Sequence, residues 1–260
     1  MACITPFYLD VEDKITGMTS RVLVPCGKCE ECLKKKQSDW IARLYVESQM
    51  SLSSFFVTLT YDETHLPFPE GVNKRDVQLF FKKFRKKYKC KFTYFLVSEY
   101  GSISSRPHYH CLLFFRSRVD WILLSRDIED CWKKGQHKIG TVDIASIRYC
   151  AKYCLKSRCD PRHYYDNKTF GMYSKRPALG YDLLDKRLVE QFSERNCFEV
   201  VSFNRCVAMP RYYRDKIFDD LQKYEYNKSI QEKYSQRPSA LTAADRLNKR
   251  IAFDRKQREL

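Results

Sequence analysis

A chain of 260 residues that is 43% hydrophobic and 15% aromatic carries enough apolar material for a packed core, which excludes a disordered polypeptide. Lysine and arginine outnumber aspartate and glutamate by 48 to 32, a formal charge of +16 that attracts polyanions such as nucleic acid and disfavours acidic protein partners. No stretch is long and apolar enough to span a bilayer and the N-terminus lacks an export signal, so a reducing cytoplasm, no membrane and twelve cysteines kept as thiols or metal ligands are expected.

Residues 1–50 read as a Cys-rich knob leading into a helix. The cluster Cys26-Gly-Lys-Cys29-Glu-Glu-Cys32 has the tight spacing of thiolate ligands, and Cys3 becomes the fourth if the N-terminus folds back, which favours a structural Zn2+. An iron–sulfur run of similar spacing wants a fourth cysteine soon after the third, but position 36 is lysine; unligated thiols are the other alternative. Trp40, Ile41, Leu44 and Tyr45 then recur at helical spacing as far as about Met50.

Alternation from Phe55 to Tyr61 predicts a strand, followed by a turn-rich loop through Pro69. Asn73 is placed to cap a helix with the apolar stripe Val77, Phe80, Phe81, Phe84 and Tyr88, leaving Lys82, Lys83, Arg85, Lys86 and Lys87 mostly outside it. Phe92 to Glu99 and His108 to Phe115 predict two strands joined as a hairpin. Next come a helix from Asp120 to Trp132, a short strand from Gly140 to Ala145 and a helix from Ser146 to Lys156.

This succession predicts an α+β fold over residues 51–160, a ferredoxin- or RRM-like antiparallel sheet with flanking helices. Residues 161–260 form a basic, mostly helical or irregular region with loops around Pro177 and Gly180 and a helix from Pro210 to Tyr226. Leu241 to Leu260 reads as a charged helix or tail, for which a solvated surface is the plainer reading.

The chemistry concentrates in three places. His108 and His110, two apart on a strand, project from one face, and a hairpin would bring Glu99 beside them as a mixed nitrogen and oxygen set for Mg2+, Mn2+ or Zn2+. Taken alone, the two histidines fit an exposed polar face equally well, and Glu99 a solvated strand end. In Arg148-Tyr-Cys-Ala-Lys-Tyr-Cys-Leu-Lys156, Tyr149 and Tyr153 share one side of a helix, as do Lys152 and Lys156. A phenol beside a metal-polarised phosphate and an ammonium can attack phosphorus, although amphipathic packing is the commoner use of such spacing. Cys150 and Cys154 read as small buried residues.

A strand like Phe56-Val-Thr-Leu-Thr-Tyr61, a Pro-His-Tyr-His strand and a Tyr-x-x-Lys-Tyr helix stand in the order of three rolling-circle replication motifs. The chain resembles the HUH endonucleases, and within them the replication initiation proteins of small single-stranded DNA phages, the gokushovirus branch of the microviruses, whose Cys-rich start is echoed at Pro25 to Cys32. The likeness spans about residues 3 to 215, and Tyr109 stands where a bulky apolar residue is usual. It implies that Glu99, His108 and His110 hold Mg2+ or Mn2+ against a scissile phosphate while Tyr149 or Tyr153 attacks it. A 5′-phosphotyrosine and a free 3′-OH would result, the latter priming the host DNA polymerase.

The same resemblance implies single-stranded origin DNA and a host helicase as partners, in a bacterial cytoplasm. Lys152 and Lys156 would neutralise charge at phosphorus, Arg106 and Arg148 would contact DNA, and Thr58 and Thr60 either support the site or pack in the core. A single-strand transposase or relaxase shares this chemistry; the Cys-rich start and paired tyrosines argue against it. A non-catalytic nucleic-acid-binding module has no use for the histidine pair and tyrosine-lysine helix together.

Overall fold

The structure is a computed structural model that describes residues 3–12, 17–67, 71–88, 91–101, 105–153 and 168–235, with isolated helical positions between 245 and 255. It begins with an antiparallel hairpin of β1 (Phe7–Glu12) and β2 (Thr19–Val24), followed by α1 (Glu30–Gln49) and β3 (Ser53–Thr60). The sequence reading missed this hairpin. Helix α2 (Lys74–Lys87) is capped as expected, Asn73 Oδ1 accepting from the amides of Arg75 at 2.9 Å and Asp76 at 3.4 Å.

Strands β4 (Phe92–Tyr100) and β5 (Pro107–Phe115) form the expected hairpin, with Glu99 opposite His108. Asp120 caps α3 (Trp121–Trp132) by accepting from the amides of Ile122 and Leu123. The last strand of the core, β6 (His137–Thr141), lies upstream of the expected Gly140 to Ala145. Two local features move it. Gly135, at φ +145°, lies so close to β3 that a Cβ there would sit 2.3 Å from the Thr60 carbonyl oxygen, which brings the chain alongside β3 early. Reciprocal bonds then start α4 (Ile144–Tyr153): Asp143 Oδ1 accepts from the Ser146 amide at 2.7 Å, and Ser146 Oγ accepts from the Asp143 amide at 2.9 Å.

With β7 (Gly171–Tyr173), these strands make one antiparallel sheet in the order β6-β3-β5-β4-β7. Alternation along it separates two layers. Val57, Leu59, Leu96, Tyr109, Cys111 and Leu113 face α2 and α3, whereas Phe95, Val97, Leu112 and Phe114 face α1 and α4. The sheet is therefore covered on both sides, and the two histidines of β5 point towards the α1/α4 layer while Tyr109 points the other way.

The remaining chain forms α5 (Lys186–Glu194), the hairpin β8 (Glu199–Ser202) and β9 (Arg205–Ala208), α6 (Arg211–Ile217) and α7 (Asp220–Ser235). The single helix expected over Pro210 to Tyr226 is broken, because Phe218 is extended and buried, its ring stacked on Phe198 at 3.9 Å. This region is tied to the core through Glu47, fully buried on α1. Its carboxylate accepts from Thr93 Oγ1, Arg116 Nη2 and the Gly180 amide, each at 2.6 Å, so a buried charge is balanced by a cation and two neutral donors. Only scattered positions of the expected Leu241 to Leu260 helix fall among the described residues.

Candidate metal centre and tyrosine helix

The β4–β5 register sets Glu99 across from His108, and alternation adds His110 on the same face. Glu99 Oε2 lies 3.1 Å from His110 Nε2 and 3.7 Å from His108 Nε2. For an octahedral ion with bonds of about 2.1 Å, adjacent ligands stand roughly 3 Å apart, so the three donors fit one divalent cation. The imidazoles are also oriented from behind. His108 Nδ1–H donates to the Arg106 carbonyl oxygen at 3.0 Å, which leaves the Nε2 lone pair facing the cluster. His110 Nδ1 pairs with Thr58 Oγ1 at 3.1 Å, and the His110 ring stacks on Phe56 at 5.5 Å.

Tyr149 arrives from the opposite layer. Helix α4 begins two residues after β6 ends and runs back along the sheet; five residues at about 1.5 Å each bring it to the level of His110. The Tyr149 hydroxyl donates to Glu99 Oε2 at 2.6 Å and lies 3.3 Å from His110 Nε2. Tyr149 is 36% exposed, and Ala145, Arg148 and Lys152 continue the exposed stripe on which it sits. Tyr153 ends α4, but its side chain, with Lys156 and Cys154, lies outside the described residues, while Cys150 is buried as expected.

The remaining sequence-derived candidates divide. Thr58 supports His110 directly, whereas no such contact is found for Thr60 among the described residues. Arg106 donates from Nη1 to the Tyr61 carbonyl oxygen at 2.9 Å and pairs with Glu63, so much of its charge is used within the chain. Arg148 stays exposed. Tyr109, between the histidines, is fully buried: its hydroxyl accepts from the Asn73 amide at 2.7 Å and meets the Tyr61 hydroxyl at 2.9 Å. Burial pushes its phenol up to about 12, which suits a structural bond rather than nucleophilic attack.

The second cluster joins Cys3, Cys26, Cys29 and Cys32, whose sulfur atoms lie within 4.8 Å of one another. Cys29 Sγ is 3.7 Å from Cys3 Sγ, and Cys26 Sγ is 4.0 Å from Cys32 Sγ. Four thiolates around one ion at about 2.3 Å would stand roughly 3.8 Å apart, whereas a disulfide requires about 2.0 Å. The amides of Lys28 and Cys29 donate to Cys26 Sγ at 3.5 and 3.3 Å. Burial raises the Cys26 thiol, but hydrogen bonds from Thr5 and from these two amides outweigh it and bring it to about 6, favouring the thiolate. Both clusters are compatible with a metal. No helix among the described residues is long and apolar enough to cross a membrane.

Residues 54–158, which contain β3 to α4, match the family of replication-associated proteins of the ORF2 type. Over 224 residues the chain is 30% identical to the replication-associated protein VP4 of Bdellovibrio phage phiMH2K, covering 78% of this chain and 70% of that protein. It is 27% identical to the replication-associated protein ORF4 of Chlamydia phage 1 over 74% of this chain and 53% of that one. Identity to the replication-associated protein ORF2 of Spiroplasma virus 4 is 31%, over 51% of this chain and 48% of that protein. The chain thus spans about half the length of the last two relatives.

Proposed function

This chain belongs to the family of phage replication-associated proteins, and from that membership we propose that it initiates rolling-circle replication by nicking and rejoining single-stranded origin DNA. The observation that carries the reading is the Tyr149 hydroxyl, 2.6 Å from Glu99 Oε2 at the edge of a histidine-histidine-glutamate cluster. A phenol, two imidazoles and a carboxylate at one point suit phosphoryl transfer better than passive binding. The strand order β6-β3-β5-β4, with α2 and α3 as the intervening helices, supports a ferredoxin-like sheet of the HUH type.

In this reading Glu99, His108 and His110 hold Mg2+ or Mn2+, which supplies Lewis-acid polarisation of the scissile phosphate. Tyr149 loses its proton and forms a bond from Oη to phosphorus; the bond from phosphorus to the 3′ oxygen breaks, and that oxygen takes up a proton. The ester is exchanged rather than hydrolysed, so a 3′-OH attacking the phosphotyrosine can reseal the strand. Tyr153 acts as the alternate nucleophile, and Lys152 with Lys156 offsets charge at the reacting phosphate. The four cysteines hold Zn2+, which orders the N-terminal knob. The free 3′-OH is extended by a host polymerase with the help of a host helicase.

The test is incubation with a labelled single-stranded origin oligonucleotide and Mn2+, followed by a denaturing gel. A covalent DNA-protein adduct is expected, and it should disappear in Tyr149→Phe/Tyr153→Phe. An adduct that survives the double change would sink the nucleophile assignment. No adduct across a panel of origin sequences, with DNA binding retained, would leave a non-catalytic binding module.

A further inference from the structure

The sheet's α1/α4 face is only half covered. Helix α4 packs over β4 and β5 through Ile147, Cys150 and Ala151, while Lys138 and Gly140 of β6 are exposed. Both belong to this face, because their neighbours His137 and Ile139 point the other way: His137 Nε2 bonds Ser125 of α3 at 2.8 Å, and Ile139 packs into the α2/α3 core. The register places Lys138 opposite Thr58, which in turn stands opposite His110. Lys138, Thr58 and His110 therefore form one row across three strands, with the lysine backbone about 10 Å from that of the histidine. Lys138 makes no ion pair with any described residue.

Gly140 supplies an independent observation. It lies within a continuously paired strand, opposite Phe56, without a bulge and without the positive φ that favours glycine. A Cβ there would meet only the Phe56 carbonyl oxygen, at 3.9 Å, so nothing inside the protein requires the side chain to be missing. Glycine weakens a strand interior, and where neither packing nor backbone conformation calls for it, a close approach by a ligand does.

We propose that the uncovered β3–β6 half of this face is the track for the DNA strand beside the scissile phosphate, with Lys138 holding a neighbouring backbone phosphate and Gly140 leaving room for the nucleotide next to Phe56. The inference rests on the proposed nicking function and adds where the strand lies. The open surface leads from the edge of the sheet into the ligand cluster, and Tyr149 overhangs it from α4.

The test measures single-stranded DNA binding against salt in the Tyr149→Phe/Tyr153→Phe chain, which keeps the strand intact. One phosphate contact contributes about 0.7 to the slope of log K against log salt, so Lys138→Gln should lower the slope by about 0.7 and weaken binding about five-fold at about 0.1 M salt. Lys138→Arg should restore both. Gly140→Val should melt at the same temperature or higher yet bind DNA less tightly. An unchanged slope in Lys138→Gln, normal binding by Gly140→Val, or a lower melting temperature for Gly140→Val overturns the assignment. So does an equal loss of slope in Lys82→Gln, on the opposite layer, which would mean a diffuse charge effect. Adduct formation by the unsubstituted chain is scored separately, so chemistry without this track and a track without chemistry give different results.

Discussion

Glu99, His108 and His110 come from two paired strands inside a sheet covered by helices, whereas Cys3, Cys26, Cys29 and Cys32 come from a chain end, a turn and the start of a helix. The first set is held in register by the backbone ladder, by apolar residues on both layers and by bonds from Thr58 and the Arg106 carbonyl behind the rings. Around the second set the chain offers little besides sulfur: the adjoining hairpin leaves Phe7, Leu9, Val11 and Val22 exposed. The fold builds the sheet centre, and in the cysteine centre the ion helps to build the fold.

Metal removal tests that distinction with the largest expected effect, since the apparent binding energy of a structural zinc is about 10–16 kcal/mol. A strong chelator, or Cys29→Ser, should abolish amide-exchange protection over β1, β2 and the cysteine turn while β3, β4 and β5 keep theirs. Hydrogen exchange read by mass spectrometry checks it, alongside the metal content. A hairpin that stays protected without metal, or a central sheet that loses protection with it, would break the comparison.

The same contrast governs what could be read from the sequence. Helix α2 was legible because its apolar stripe and Asn73 cap are local signals, and the Glu99–His108 pairing because a short connection permits one simple register. The alternation of β1 and β2 was equally present but eclipsed by the cysteines. Strand β6 was displaced because Ile144 and Ala145 look strand-like, whereas the Asp143–Ser146 caps commit them to a helix. Beyond residue 180 the packing links residues with no periodic relation, such as Phe198 with Phe218 and Tyr226, or Glu47 with Gly180. Within the site, the approach of Tyr149 to Glu99 depends on the direction of α4, and the Thr58–His110 bond on β3 lying beside β5; neither leaves a mark at short range.

A smaller effect, confined to function, is expected of Glu99→Gln. Losing the carboxylate ligand should reduce Mn2+-dependent adduct formation by at least about 10²-fold, because it removes both charge and metal affinity. Stability should stay within about 1 kcal/mol or rise, since a neutral amide costs less to bury than a carboxylate without its cation. Melting in chelator and a single-turnover adduct assay separate the two effects. A large loss of stability would mean that the triad holds the sheet together, and the contrast with the cysteine centre would fail.

Thr58→Val makes the finest test of a centre built by its surroundings. Valine keeps the volume and strand preference of threonine but removes the hydroxyl that meets His110 Nδ1, so the ring loses the partner that fixes its tautomer and orientation. Loss of such a supporting bond costs about 10–100-fold in metal affinity, equivalent to about 1.4–2.7 kcal/mol. Mn2+ titration followed by calorimetry should show that loss with the stoichiometry of the sheet site unchanged. Thr60→Val should leave the affinity alone, because Thr60 stands on the same strand face without a bond to either ring. Equal losses in the two variants would point to strand packing rather than to the Thr58 hydroxyl; a loss in Thr58→Val alone would assign the orientation of His110 to a residue fifty-two positions away in the chain, brought alongside by the order of the strands.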